Sequence, residues 1–208
     1  MSGQGRPGLE RVDPRWLTAQ VVDEASEVAS YLLAGNSERL AHSAAVADRA
    51  QLLTAAVPAE AASVLVAAAW LHDIGYIDTL RVTGFHPVDG GLHLRRTGWP
   101  PVVAGLVAHH SGARFVAAAR GLGPELAVFE YREDSLSDAL TIADQTAGPG
   151  GVAMTVPKRL ADMLDRHGED SPNARAHAER QPYLLAAAAR VIRRLEQAGI
   201  PAEQHHIL

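Results

Sequence analysis

The sequence contains no cysteine in its 208 residues, which excludes disulfide bonds and thiolate metal ligands. Only 5% of the residues are aromatic, and the formal net charge of −5 argues against binding of nucleic acid polymers or membrane surfaces through a positive face. The longest apolar run, Ala61 to Leu71 with one serine, is too short to span a bilayer. Residues 1–10 lack an apolar signal segment, so we expect a cytoplasmic protein.

Catalytic motifs that depend on a side-chain nucleophile are missing too. The chain has no Gly-x-Ser-x-Gly elbow, and without cysteine it has no thiol nucleophile. The glycine-rich segment 148–151 lacks the Lys-Ser/Thr pair of a phosphate-binding P-loop, so we interpret this segment as a plain turn. These absences fit a chemistry that needs no side-chain nucleophile.

Helix-forming residues dominate what is present. Hydrophobic residues make up 47% of the chain, enough for one core, and many of them are alanine, which has the highest helix propensity. Strand-like alternation never lasts beyond a few residues, so we predict an all-α fold, a single compact bundle of about eight or nine helices. We expect a flexible tail at residues 1–14, one domain over 15–200 with C-terminal helices within 158–198, and a second tail at 201–208.

The dipeptide His72-Asp73 stands at the end of the longest apolar run. Burying two ionisable groups against hydrocarbon costs several kcal/mol, on the order of 3–5, unless something compensates the charge. A metal ion is the commonest compensation for adjacent His and Asp, because both side chains offer lone pairs. The dipeptide alone is equally consistent with a hydrogen-bonded helix end, so the choice depends on further ligands elsewhere in the chain.

Several of the ten histidines, and one aspartate, lie at predicted helix ends or inner faces. These candidate ligands are His42, His86, His109, His110 and Asp144. Each of them taken singly is more often structural, but together they provide a ligand set of imidazoles and carboxylates. Such a set without thiolate suits Fe or Mn, with Zn, Mg, Ni and Co as alternatives. Helical periodicity does not choose between His109 and His110, since both fall over Leu106.

The order of these residues resembles that of the HD-domain superfamily of metal-dependent phosphohydrolases, over about Ser37 to Gly148. The segment Trp70 to Gly75 is similar to the family signature, and Phe85 to Gly91 is similar to the third-histidine segment of the two-metal branch. The full ordered set is His42, His72, Asp73, His86, His110 and Asp144. Within the superfamily, the chain is similar to the small hydrolases that cleave symmetrical dinucleoside tetraphosphates.

The resemblance implies a helical HD-domain bundle that holds two divalent ions about 3.5–4 Å apart. Asp73 would bridge the ions and, with His72, form the catalytic centre, while a hydroxide between the ions would attack the substrate phosphorus. The resemblance assigns one ion to Asp73 with His42, His72 and Asp144, and the other ion to Asp73 with His86 and His110. It favours His110 over His109 as a ligand, which leaves His109 to bind substrate or to orient a ligand.

A small-molecule phosphate substrate, a nucleotide first of all, is the partner that this resemblance implies. Arg39, Arg81 and Arg114 lie near the proposed ligands in sequence and can hold phosphate oxygens, together with His109. Two alternatives use the same ligand set: a di-iron oxygenase acting on a small carbon or phosphonate substrate, and a non-catalytic nucleotide-binding module. The residues after Gly151 should shape the pocket or an oligomer contact, and homo-oligomer formation is left open.

Overall fold

The computed structural model describes residues 13–148, 151–167 and 171–208, with the side chains of residues 164–167, 202 and 204 left aside. Within these ranges it has eleven α-helices and no β-strand, and nine of the helices have eight or more residues. The predicted all-α fold is therefore confirmed. The helices are α1 (Ala19–Leu32), α2 (Ser37–Leu52), α3 (Ala62–Leu71), α4 (His86–Arg96), α5 (Pro101–His109), α6 (Ala113–Arg120), α7 (Gly123–Leu126), α8 (Ser135–Gln145), α9 (Val156–His167), α10 (Pro172–Arg175) and α11 (His177–Gln197).

Helix α3 lies at the centre of the bundle and packs against α1, α2, α5 and α8. It is apolar on all sides, as expected for a helix surrounded by protein, and residues 64–69 and Leu71 are buried. Three consecutive alanines, at 67–69, let the neighbouring helices approach closely. The helix ends at Leu71, so the dipeptide His72-Asp73 emerges inside the bundle and not at its surface.

A left-handed turn separates α5 from α6. Ser111 and Gly112 have φ values of 51° and 69° in this turn, so the chain leaves α5 and re-enters a helix in a new direction. By length and composition, the stretch Pro101–Arg120 passes a simple test for a membrane-spanning helix. In the described structure this stretch is mostly buried and is broken at Ser111-Gly112, which is the behaviour of core helices.

The C-terminal helix α11 is fixed to α8 by a buried ion-pair network. The carboxylate of Asp138 accepts two hydrogen bonds from Arg190, at 2.8 and 2.7 Å, and one from Arg194 at 2.8 Å. Asp138 is 1% exposed, so these charge-assisted bonds compensate its burial. The helix begins at His177, and Pro182 lies inside it.

The structure describes only part of the two predicted tails. Most of the N-terminal tail lies outside the described residues, but Pro14 already belongs to a 3₁₀ turn, Pro14–Leu17. At the other end, the backbone N–H of Val156 donates to the carbonyl of Ile207 at 2.9 Å, and Ile207 is 2% exposed. The last residues therefore pack against the start of α9, because an isoleucine near the end of the chain finds an apolar site there.

Gly75 allows α4 to pack against the 3₁₀ turn Ile74–Tyr76. A Cβ added at Gly75 would collide with the carbonyl oxygen of His86 and lie 2.6 Å from the backbone nitrogen of Gly90. Because both neighbours are backbone atoms, α4 would have to move, and overpacking of this kind costs about 1–3 kcal/mol.

We predict that Gly75→Ala lowers the free energy of unfolding in urea by about 2 kcal/mol or more. The control is Gly35→Ala, which meets no atom within 4 Å and should change stability by less than about 0.5 kcal/mol. Equal stabilities for the two variants would contradict this packing argument.

Candidate metal centre

The six predicted metal ligands come from five separate parts of the bundle and meet at one point. His42 lies on α2, His72 and Asp73 follow α3, His86 begins α4, His110 follows α5, and Asp144 lies on α8. Five of the six are buried, and the sixth, His86, has a side chain that is 20% exposed. The cluster is therefore enclosed on most sides and opens past His86.

The carboxylate of Asp73 occupies the middle of this cluster. Its Oδ1 atom lies 3.4 Å from Nε2 of both His72 and His86, and 3.9 Å from Nε2 of His110. Its Oδ2 atom lies 3.9 Å from Nε2 of His42. The two oxygens of one carboxylate thus approach different sets of imidazoles, which is the arrangement that a carboxylate shared between two sites requires.

Asp144 lies on the His42 side of the cluster. Its Oδ1 atom is 3.1 Å from Nε2 of His42 and 3.9 Å from Nε2 of His72. Two buried groups of three can each present ligand atoms within 4.8 Å of one another. They are His42, His72 and Asp144, and His72, Asp73 and His110.

Backbone carbonyls fix the orientation of the imidazoles. Nδ1 of His72 donates to the carbonyl of Ala69 at 2.7 Å, and Nδ1 of His110 donates to the carbonyl of Val107 at 2.6 Å. A carbonyl can only accept, so in both rings the proton is on Nδ1 and the lone pair on Nε2 faces the cluster. Nε2 of His72 is buried and has no hydrogen-bond partner among the described residues. An unpartnered lone pair in this position is what a metal ligand provides.

The protonation states of the cluster also suit a divalent ion. Burial lowers the pKa of His72 to about 4 and lowers that of His86 well below its ordinary value, so both rings are neutral at pH 7. Burial alone would raise the pKa of Asp73, but the surrounding groups, with Arg39 as the permanent cation among them, outweigh burial and hold that pKa well below its usual range. Neutral imidazoles and ionised carboxylates are the forms that bind metal.

His42 is the exception in this set. Burial favours its neutral form, but the hydrogen bond to Asp144 and the charge of that carboxylate outweigh burial and raise its pKa. Metal binding at His42 would therefore compete with protonation of its ring more than at His72 or His86.

Polar side chains around the ligands hold them in place. Ser111 Oγ donates to Oδ2 of Asp144, and Nε2 of Gln145 donates to the same oxygen at 3.0 Å. The ring of Tyr76 stacks on His86 with 3.9 Å between ring centroids. Sequence reasoning missed these three residues, because none of them belongs to a recognisable ligand motif. They orient the ligands in the way that outer partners do in metal sites.

His109 does not join the cluster. Its Nε2 atom lies 3.2 Å from the carbonyl oxygen of Phe129, and the residue does not line the cavity beside the cluster. Helix α5 ends at His109, and His110 has an extended ψ of 151°, so its side chain turns inward. Periodicity could not separate the two histidines because it assumed that the helix continued through both. The structure brings His110 into the cluster and leaves His109 outside the cavity, so the predicted substrate-binding position of His109 is corrected.

Of the three arginines predicted to bind substrate, two line the cavity. Arg39 Nη1 donates to Oδ2 of Asp73 at 3.0 Å, and Arg81 is exposed and pairs with Asp78 at 3.4 Å. Arg114 is elsewhere: its guanidinium lies over three aromatic rings, at 4.5–4.7 Å from their centroids. The prediction for Arg114 is therefore corrected, because cation–π packing in the core holds this side chain away from the cavity.

A cavity of about 380 Å³ adjoins the cluster, a size within the usual range of small-molecule sites. Three arginines that sequence reasoning missed also line it: Arg120, Arg159 and Arg180. Arg159 on α9 and Arg180 on α11 come from beyond Gly148, where the recognised resemblance ends. No local pattern marks these arginines, because only the packing of the C-terminal helices brings them to the cluster.

The chain belongs to the HD domain family, which matches residues 39–196. Searches of curated proteins and of solved structures found no significant match. Membership of this family indicates a metal-dependent hydrolase in general terms, and the buried His/Asp groups are compatible with bound divalent metal. The particular substrate and reaction are not given by the family.

Adjacent histidines provide a direct test of the ligand assignment. We predict that His110→Gln weakens metal binding by more than about 100-fold. Loss of a residue that only orients a ligand weakens metal binding by up to about 100-fold, and loss of a ligand itself should cost more. His109→Gln should bind metal within about twofold of the wild type, because its ring contacts only the protein backbone and neighbouring rings. Metal titration with detection by elemental analysis measures both. Loss of metal in His109→Gln, with retention in His110→Gln, would reverse the assignment.

Proposed function

We propose that the protein is a metal-dependent phosphohydrolase that cleaves a phosphoester or phosphoanhydride bond of a small nucleotide-like substrate. The observation that carries the proposal is the position of Asp73, whose two carboxylate oxygens face different imidazoles inside an arginine-lined cavity. Carboxylate sharing supports a two-ion site, and the arginines supply a complement to phosphate oxygens.

Different residues of the chain would have different roles in such a site. On ligand chemistry, Fe or Mn is the first choice, and two such ions would activate water and polarise phosphoryl oxygens. The imidazoles of His42, His72, His86 and His110 hold fixed positions and, with the two carboxylates, would bind the ions. Arg39 stays beside Asp73, where its guanidinium also faces the cavity. Burial of the cluster excludes bulk water, which strengthens each charge interaction within it.

Asp73 is the residue whose loss should abolish activity. We predict that Asp73→Ala loses its metal and that kcat/KM falls by more than about 10³-fold on any phosphate substrate that the wild type hydrolyses. The control is Asp48→Ala, which changes an exposed aspartate on the outer face of α2 and should leave both quantities unchanged.

The measurement is elemental analysis followed by a panel of phosphomonoesters, phosphodiesters and nucleoside polyphosphates. Full activity of Asp73→Ala would contradict the proposed metal-dependent phosphohydrolase function. Oxygen uptake with an iron-loaded sample, in the absence of phosphate release, would favour the di-iron oxygenase instead. Nucleotide binding that needs no metal and leads to no turnover would favour the non-catalytic module.

A further inference from the structure

We propose that Arg159 and Arg180 form an anion subsite that holds a second phosphoryl group beside the one at the His/Asp cluster. The inference rests on the proposed function, which places the first phosphoryl group at that cluster. It predicts that the preferred substrate contains at least two adjacent phosphoryl groups. Both arginines belong to helices that follow the residues of the metal cluster in the chain, α9 and α11.

The charge of the cavity wall is the first argument. Five arginines line the cavity: Arg39, Arg81, Arg120, Arg159 and Arg180. Its wall has three carboxylates, Asp73, Asp89 and Asp144, and Asp89 already accepts hydrogen bonds from Thr83 and Gly84. The described wall is therefore positive before any metal binds. Five arginines against three carboxylates give a net charge of +2, which one phosphate dianion matches, and divalent ions at the His/Asp cluster would add positive charge that a di- or polyphosphate chain neutralises.

The availability of donors separates the five arginines. Arg39 is committed to Asp73, and Arg120 donates to the carbonyl of Gly84 at 2.9 Å. Arg81 is exposed and faces Asp78. In these three arginines a terminal nitrogen already contacts a protein oxygen, whereas Arg159 and Arg180 line the cavity with terminal nitrogens for which the described residues show no hydrogen bond.

Arg159 lies near the cluster, and one of its hydrogen-bond donors has no partner among the described residues. Its Nη2 atom lies 3.8 Å from Oδ1 of Asp144, and its Nη1 atom lies 3.8 Å from Oδ2 of Asp162. Both distances are too long for hydrogen bonds. The side chain is only 12% exposed, and its buried Nη1 has no hydrogen-bond partner among the described residues. A buried guanidinium donor without a partner is costly, and a phosphate oxygen would satisfy it.

Arg180 is aimed at the same place by a different contact. Its Nε atom donates to the carbonyl of Ser111 at 2.7 Å, and Ser111 in turn donates through its hydroxyl to Asp144. The hydrogen bond at Nε fixes the plane of the guanidinium and leaves its terminal nitrogens for a ligand. Arg159 thus lies beside Asp144, and Arg180 is linked to the same carboxylate through Ser111. Two guanidinium groups near a single carboxylate favour a further anion.

The test compares the binding of two non-hydrolysable probes to metal-loaded protein by calorimetry. Methylenediphosphonate presents two linked phosphoryl groups, and methylphosphonate presents one. We expect the wild type to bind the diphosphonate at least about 10-fold more tightly than the monophosphonate. Arg159→Gln and Arg180→Gln should each weaken diphosphonate binding by about 10-fold or more and change monophosphonate binding by less than about twofold.

Matched controls exist on the same two helices. Lys158→Gln on α9 and Arg193→Gln on α11 each remove an exposed positive charge that does not line the cavity, and both should bind the diphosphonate as the wild type does. Metal content is measured for every variant, so that probe affinities are compared only between metal-loaded proteins. Equal affinity of the wild type for both probes, or equal weakening of both probes in the arginine variants, would overturn the subsite.

Failure of the subsite and failure of the proposed function give different results. Binding of the diphosphonate that depends on both arginines, in a protein that hydrolyses no phosphate on the panel, would retain the subsite and reject the hydrolase. Hydrolysis with diphosphonate binding unchanged in both arginine variants would retain the hydrolase and reject the subsite.

Discussion

The burial of the Asp73 carboxylate is the constraint on which the rest of this structure depends. A charged group with 3% exposure in an apolar bundle needs compensation, and here it is surrounded by Arg39 and four imidazoles. Asp144 adds a second buried carboxylate to the same place. The surroundings hold the pKa values of both carboxylates well below their usual range, which keeps them ionised. The bundle therefore places two buried, ionised carboxylates where a hydrolase of this family needs its metal.

The positions at which α3 and α5 end determine how His72 and His110 enter the cluster. His72 and His110 each follow the last turn of a helix, and each donates its Nδ1 proton to a carbonyl three residues earlier. The last carbonyls of a helix have no partner within the helix. One bond thus satisfies an otherwise unpaired carbonyl and leaves the Nε2 lone pair directed at the cluster. Ligand orientation in this protein is a consequence of where α3 and α5 stop.

The C-terminal helices contribute residues to the wall of the cavity as well as to the hydrophobic core. Helix α8 carries Asp144 on one side and Asp138 on another, and Asp138 binds Arg190 and Arg194 of α11. This buried network fixes α11 relative to α8 and Asp144, so that Arg180 reaches the cavity in a defined position. A rigid connection of this kind is what a binding site needs, because phosphate recognition depends on the placement of guanidinium donors within a few tenths of an ångström.

The sequence by itself determined the helical class, through alanine content and the absence of strand alternation, and it indicated the six residues of the cluster through the resemblance of their order to the HD-domain pattern. Helix propensity and the short motif around each of these residues are properties of neighbouring residues, so local patterns suffice to recognise them. The choice of His110 over His109 needed the dihedral angles at the end of α5. The packing of Arg114 against aromatic rings, and the arrival of Arg159 and Arg180 beside Asp144, were decided by tertiary structure alone. Contacts between residues far apart in the chain depend on how helices pack, and no single segment records that information.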